Sequence, residues 1–198
     1  MIRLIVLIVF FIGLASSVVI NDWVWFLYYQ TYWSVNFSMI SFMATSKAAI
    51  KGQDSVWFKF ACISQEIMMG FNFTTTVMFW LILAPSIFPY IDWHDPMSVF
   101  TGVRMVTLHA VPMIASIVNL AITDMTFQRQ DWKYVFYTGM AYIPANAIGT
   151  FMMGAPLYPL VDWKNIPETI GLFTLQAIVQ ALFYIFVCWC QTKCGGKK

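Results

Sequence analysis

Residues 101–124, TGVRMVTLHAVPMIASIVNLAITD, decide how this chain is read. The run is apolar enough to lie in a bilayer, yet it holds His109 well inside, Asn119 near its end and Asp124 at its exit. Only two histidines occur in the chain, and the other, His94, falls in a loop between apolar runs. A titratable ring at membrane depth is costly, so it marks either a functional site or an interhelical hydrogen bond.

The surrounding composition sets the class. Hydrophobic residues make up 60% of the chain, aromatics 18% and charged residues only 10%. Soluble domains carry about a quarter charged residues, so the chain reads as an all-α, polytopic membrane helix bundle. The net charge of +2 is spread between apolar runs and does not point to nucleic acid. With loops this short, residues 1–198 form one transmembrane domain.

Six apolar runs are each near or above the ~20 residues a bilayer requires: about 2–20, 24–46, 57–87, 101–124, 133–155 and 168–190. The first, with a basic residue at position 3 and Ala-Ser-Ser near its end, has signal-peptide features. It nevertheless runs unbroken to Ile20, and we read it as a retained helix. If six spans alternate, Arg3, Lys47, Lys51, Lys59, Arg129, Lys133, Lys193, Lys197 and Lys198 lie on one side, and only Arg104 and Lys164 on the other. Asp22, Asp92, Asp95, Asp162 and Glu168 take the opposite side. The positive-inside rule then puts both termini on the positive side, cytosol or matrix. The membrane is an endomembrane or the mitochondrial inner membrane.

Asp-Trp recurs at 22–23, 92–93 and 162–163, seventy residues apart, always on the acidic side. The last two copies extend backwards as Ala84-Pro85-Ser-Ile-Phe-Pro89 and Ala155-Pro156-Leu-Tyr158-Pro159. Three duplicated hairpins are one reading. The other is interface chemistry, in which proline ends a helix, aspartate caps the next and tryptophan sits at headgroup level. A fourth Asp-Trp, at 131–132 on the opposite side, favours interface chemistry.

Thr31, in Tyr28-Tyr29-Gln30-Thr31-Tyr32-Trp33, pairs naturally with His109. Counted from the acidic ends of their spans, both sit seven or eight residues deep, or ~11–12 Å at the helical rise. A hydroxyl beside a base is the minimum for acyl transfer. The same pair also serves as ordinary interhelical bonding.

These residues carry a resemblance. Tyr-Gln-Thr31-Tyr-Trp in an early span, His109 in a later one, Asp124 closing it, and Leu157-Tyr158-Pro159-Leu-Val-Asp162-Trp163 resemble the androgen-induced family of small multi-pass membrane proteins. That family includes threonine hydrolases of fatty-acid esters of hydroxy fatty acids. The resemblance implies Thr31 as nucleophile, His109 as base and a fatty-acid ester as substrate; the sequence holds no phosphate loop, haem pair or nucleotide motif, so no cofactor is expected.

Other polar residues fit a bundle interior. Glu66 lies toward the basic side, too far to orient His109. Asn72, Asn119, Asn146, Gln176 and Gln180 read as interhelical glue rather than a cavity lining. Cys188, Cys190 and Cys194, with no second cluster and no histidine nearby, are an incomplete zinc site, so no metal is expected. Their place at a basic membrane boundary suits reversible acylation better, and unmodified thiols are the simplest case. The 18 Phe, 9 Trp and 9 Tyr read as interfacial belts and lipid-facing surface. Two functions remain open: a membrane-embedded lipid-ester hydrolase, or a non-catalytic accessory subunit packed into a larger membrane complex, such as a respiratory one.

Overall fold

In the computed structural model, residues 2–19, 26–158 and 160–194 are described. Among them the regular structure is entirely helical: α1 (Ile2–Val19), α2 (Gln30–Lys51), α3 (Val56–Met78), the short α4 (Ala84–Ile87), α5 (Pro96–Ala121), α6 (Trp132–Met153) and α7 (Ile166–Cys194). A π-helical turn, Phe79–Leu83, joins α3 to α4, and a 3-10 turn, Phe88–Tyr90, follows.

Among the described residues, three stretches are long and apolar enough to cross a membrane: Val56–Tyr90, Pro96–Ala121 and Ile166–Lys193. Six were expected from the apolar runs. The difference has a local cause. For α1 (Ile2–Val19) the apolar stretch taken over the described residues is Arg3–Ser17, so α1 is not counted among the three. At 22 residues each, α2 and α6 reach about 33 Å but carry too many polar groups. Those of α2 (Ser34, Ser38, Ser41 and Thr45) are buried between helices rather than turned to the surroundings.

Element boundaries follow capping chemistry. Asp95 accepts from the Ser98 N–H at 2.8 Å with Pro96 in the first turn, so α5 begins five residues before the expected span. Ser55 caps α3 by accepting from Phe58 N–H. Gly154 ends α6 at φ +70°, a left-handed conformation that only glycine adopts without cost. By contrast, α2 starts six residues later than expected, after a turn at residues 26–28 and an extended Tyr29.

Packing brings α1, α2 and α5 together around Phe10, Tyr32, Val35, Phe42 and Leu108. A second centre joins α2, α3, α6 and α7 through Phe71, Tyr142, Val161 and Phe173, with Trp33 and Phe37 against them. The aromatic stock is therefore not confined to belts and outer surface. Trp33 stacks on Phe71, and Phe73 on Phe183 at 3.8 Å between ring centres.

One end of the bundle gathers the start of α1, the α2–α3 turn, residues 122–128 and the end of α7. Arg3 Nε donates to Asn119 Oδ1, Gln53 to Asp124, and Phe127 N–H to Gln191 Oε1. Residues 26–29 and the α6–α7 loop meet at the other end, where Gln30 N–H donates to Tyr158 Oη and Tyr142 Oη to the Tyr28 carbonyl. The first and last helices thus begin and finish at the same end.

The second and third Asp-Trp copies fold alike, each aspartate accepting from the N–H two residues on: His94 on Asp92, Lys164 on Asp162. Neither caps a helix directly as expected, because this local turn satisfies the carboxylate first. Their tryptophans diverge, since Trp93 is exposed whereas Trp163 Nε1 donates to Asn146 Oδ1. Asp22 and Trp23, Pro159 and the Gly-Gly-Lys-Lys tail lie outside the described residues, as does the Cys194 side chain. Cys188 is buried against Met69, Val135 and Tyr184, which removes it as an accessible acylation site.

Candidate functional site

Thr31 and His109 meet. Thr31 Oγ1 lies 2.9 Å from His109 Nε2. The register differs from the one counted on the sequence. Thr31 sits in the first turn of α2, whereas His109 is thirteen residues into α5, about 20 Å along its axis. The N-terminal turns of α5 therefore extend beyond the start of α2 and form a wall beside the pair.

Local bonding fixes the imidazole. His109 Nδ1 is 2.6 Å from the Met105 carbonyl, one turn back. A carbonyl can only accept, so Nδ1 carries the hydrogen and Nε2 presents its lone pair to the threonine. The Thr31 hydroxyl then donates to Nε2, the proton arrangement a general base requires. A backbone carbonyl here does the orienting that a carboxylate does elsewhere. Glu66, as expected, takes no part; Oε1 accepts from Gln128 N–H at the other end of the bundle.

Two features of α3 and its extension hold the ring. Phe79 stacks on His109 with ring centres 3.9 Å apart and planes 13° from parallel. It opens the π turn, in which Ala84 N–H reaches back to the Phe79 carbonyl immediately before Pro85, which has no N–H to continue the ladder. Such π turns recur at functional positions. Thr76 Oγ1 donates to the His109 carbonyl at 2.6 Å, one turn before Pro112. Because Pro112 gives no N–H to Leu108, this bond secures α5 where its own ladder is interrupted.

The pair lies on the shared wall of two cavities. The smaller, about 40 Å³, is lined by Gln30, Thr31, Thr75, His109, Leu172 and Phe173 among others. The larger, about 410 Å³, has Thr31, Tyr32, Arg104, Leu108, His109 and Tyr158 on its walls. Its volume falls within the range typical of small-molecule sites. Phe79, Leu83 and Tyr158 line both.

Sequence reasoning counted Arg104 among the charges on the acidic side. It is instead buried within α5; its Nε donates to Ser16 Oγ at 3.0 Å and Nη2 to the Tyr32 hydroxyl. Buried also, and bonded between helices as expected, are Asn72, Asn119 and Gln180; Asn146 is buried too, but it accepts from Trp163 in the α6–α7 loop and donates to Tyr142 of its own helix. Gln176 differs, because it lines the smaller cavity. Gln30 was not singled out from the sequence, yet its side chain donates to Thr74 Oγ1 at 3.0 Å beside the nucleophile candidate. No signal short of the fold reveals that contact.

Comparison of the chain with protein-family models, with curated proteins and with solved structures finds no match.

Proposed function

We propose that this protein is a membrane-embedded lipid-ester hydrolase, with Thr31 as nucleophile and His109 as general base. The observation that carries the reading is the 2.9 Å Thr31–His109 contact, with the imidazole lone pair turned to the hydroxyl, beside a cavity of about 410 Å³. Thr31 Oγ attacks the ester carbonyl carbon while Nε2 takes its proton. Collapse of the adduct breaks the bond to the alcohol, which leaves with that proton. Water, deprotonated by the same nitrogen, then cleaves the acyl-threonine and regenerates Thr31. The cavity walls are mostly apolar, which suits a fatty-acid ester entering sideways from the bilayer. The androgen-induced resemblance points to the same substrate class.

The same proposal takes six spans, α1, α2, the stretch 56–90, α5, α6 and α7, with both termini on the positive side. Support comes from the polar side chains of α2, which face its neighbours, and from the shared end at which α1 begins and α7 finishes. The competing view, an accessory subunit of a larger complex, has no need for the two side chains to meet. Their contact therefore weighs toward hydrolysis.

Purified protein in lipid nanodiscs, given a long-chain fluorogenic ester, tests the reading. Hydrolysis is expected in the wild type and its loss in Thr31→Ala and His109→Ala, with melting unchanged. A fluorophosphonate should also label Thr31. Neither turnover nor labelling in folded wild-type protein would overturn the assignment and leave the subunit view.

A further inference from the structure

We propose that Tyr158 supplies the oxyanion-stabilising hydrogen bond of this site, together with the backbone N–H of Thr31. The inference rests on the hydrolase reading and adds to it the group that bears the developing negative charge. Attack on an ester turns the carbonyl oxygen into an alkoxide, and donors aimed at that oxygen are often the largest single contribution to the rate. The Thr31 hydroxyl and the His109 imidazole supply no such donor.

Tyr158 has one to give. Its oxygen accepts from Gln30 N–H at 2.8 Å, which anchors the phenol at the residue directly before the nucleophile. The other hydrogen-bonding contact of this hydroxyl among the described residues is a long one, with the Tyr142 hydroxyl 3.5 Å away. Tyr142 spends its single hydrogen on the Tyr28 carbonyl at 2.6 Å. A separation of 3.5 Å is too long for an O–H···O bond, which centres near 2.7–2.8 Å, so the Tyr158 hydrogen finds no acceptor among the described residues. The tyrosine lines both cavities on whose shared wall Thr31 and His109 lie. Burial, first, and then Tyr142 raise the phenol well above its usual range, which keeps the hydrogen in place as a donor.

The second donor follows from where α2 starts. Tyr29 provides no side-chain cap, and Tyr158 and the Tyr29 carbonyl satisfy the Gln30, Tyr32 and Trp33 N–H groups. Among the described residues nothing accepts from the Thr31 N–H. The nucleophile thus carries its own uncommitted amide at the positive end of a 22-residue helix, where negative charge is favoured. During attack, the C–O bond forms from Thr31 Oγ, the proton passes to His109, and the alkoxide accepts from Tyr158 and Thr31 N–H. When the adduct collapses the carbonyl re-forms and both donors are released.

The experiment compares wild type with Tyr158→Phe on an ester and on its thionoester, in which the oxyanion becomes a thiolate that accepts hydrogen bonds poorly. Loss of an oxyanion donor costs about 10²–10³ in kcat. The expected result is a drop of that size on the ester with little change in KM, and a much smaller drop on the thionoester. The wild-type preference for oxygen over sulfur should therefore collapse toward unity. This ratio is read on the active fraction, so a merely structural effect through Gln30 leaves it unchanged. An unchanged ratio in an active wild type sinks the Tyr158 role while leaving Thr31 and His109 in place. An inactive wild type that is not labelled at Thr31 sinks both.

Discussion

Two polar regions in the same three helices invite comparison. Below the site, α2, α3 and α5 share a buried lattice. Asn119 Nδ2 donates to Gln65 Oε1 at 2.7 Å, Ser41 to the same oxygen at 3.0 Å, and Gln65 Nε2 to the Ser116 carbonyl. Asn72 bonds Ser34, Ser38, Ser116 and the Pro112 carbonyl. Ser34, Ser38, Ser41, Gln65, Asn72, Ser116 and Asn119 are all fully buried. A few residues away along the chain, Thr31 and His109 make a bond of similar chemistry, but both line open space. The difference teaches that a polar group at membrane depth does not by itself mark a site. In the lattice hydrogen bonds hold helices together, and beside the cavity a similar bond is the one to which we assign proton transfer.

The sharpest way to break this comparison is to remove one residue from each region. His109→Ala should lower ester turnover by about 10³-fold, the usual worth of a positioned base, while thermal unfolding of the nanodisc-embedded protein stays put. If turnover survives, the two regions are alike and both are structural.

Next in size, Asn72→Leu should do the reverse. It strands several buried polar partners, at about 1–3 kcal/mol for each group left unsatisfied. Unfolding in graded denaturing detergent should shift accordingly, while activity per folded molecule stays within a few-fold of wild type. A specific-activity loss as large as that of His109→Ala would mean that the lattice is part of the machinery.

A smaller effect is expected at Gly149. A Cβ built there would lie 2.5 Å from the Tyr28 Cβ, so Gly149→Ala pushes on the turn that leads into Thr31. Because small displacements of a reacting group are costly, we expect about a tenfold fall in kcat, measured on the same ester. Smallest, Thr76→Val removes the side-chain hydrogen bond to the His109 carbonyl and should cost only a few-fold in kcat, with KM unchanged.

Much of the helical class was legible without coordinates, since apolar runs near 20 residues leave few alternatives. Thr31 and His109 stood out for the same reason, as polar groups that an apolar run does not need. Their level was misjudged. Asp95 starts α5 early, and the turn at 26–28 delays α2, so depth counted from assumed span ends compared the wrong origins. The polar content of α2 and α6 likewise goes unweighed when apolar runs are matched by length alone, and among the described residues three stretches are long and apolar enough to cross a membrane. Arg104 and Gln30 were missed because their partners, Tyr32 and Thr74, lie 72 and 44 residues away in the chain.

The sequence by itself determined that the chain is helical and apolar, and which few polar side chains could do chemistry. These are properties of short stretches, governed by neighbours within a turn or two. Only the tertiary structure decided that Thr31 touches His109, that the Met105 carbonyl fixes its tautomer while Phe79 stacks on its ring, and that Tyr158 reaches the start of α2. Those outcomes depend on how far one helix slides along another. Contacts between residues distant in sequence, such as Gln30 with Tyr158 and Tyr28 with Gly149, set that sliding, and no local pattern encodes it.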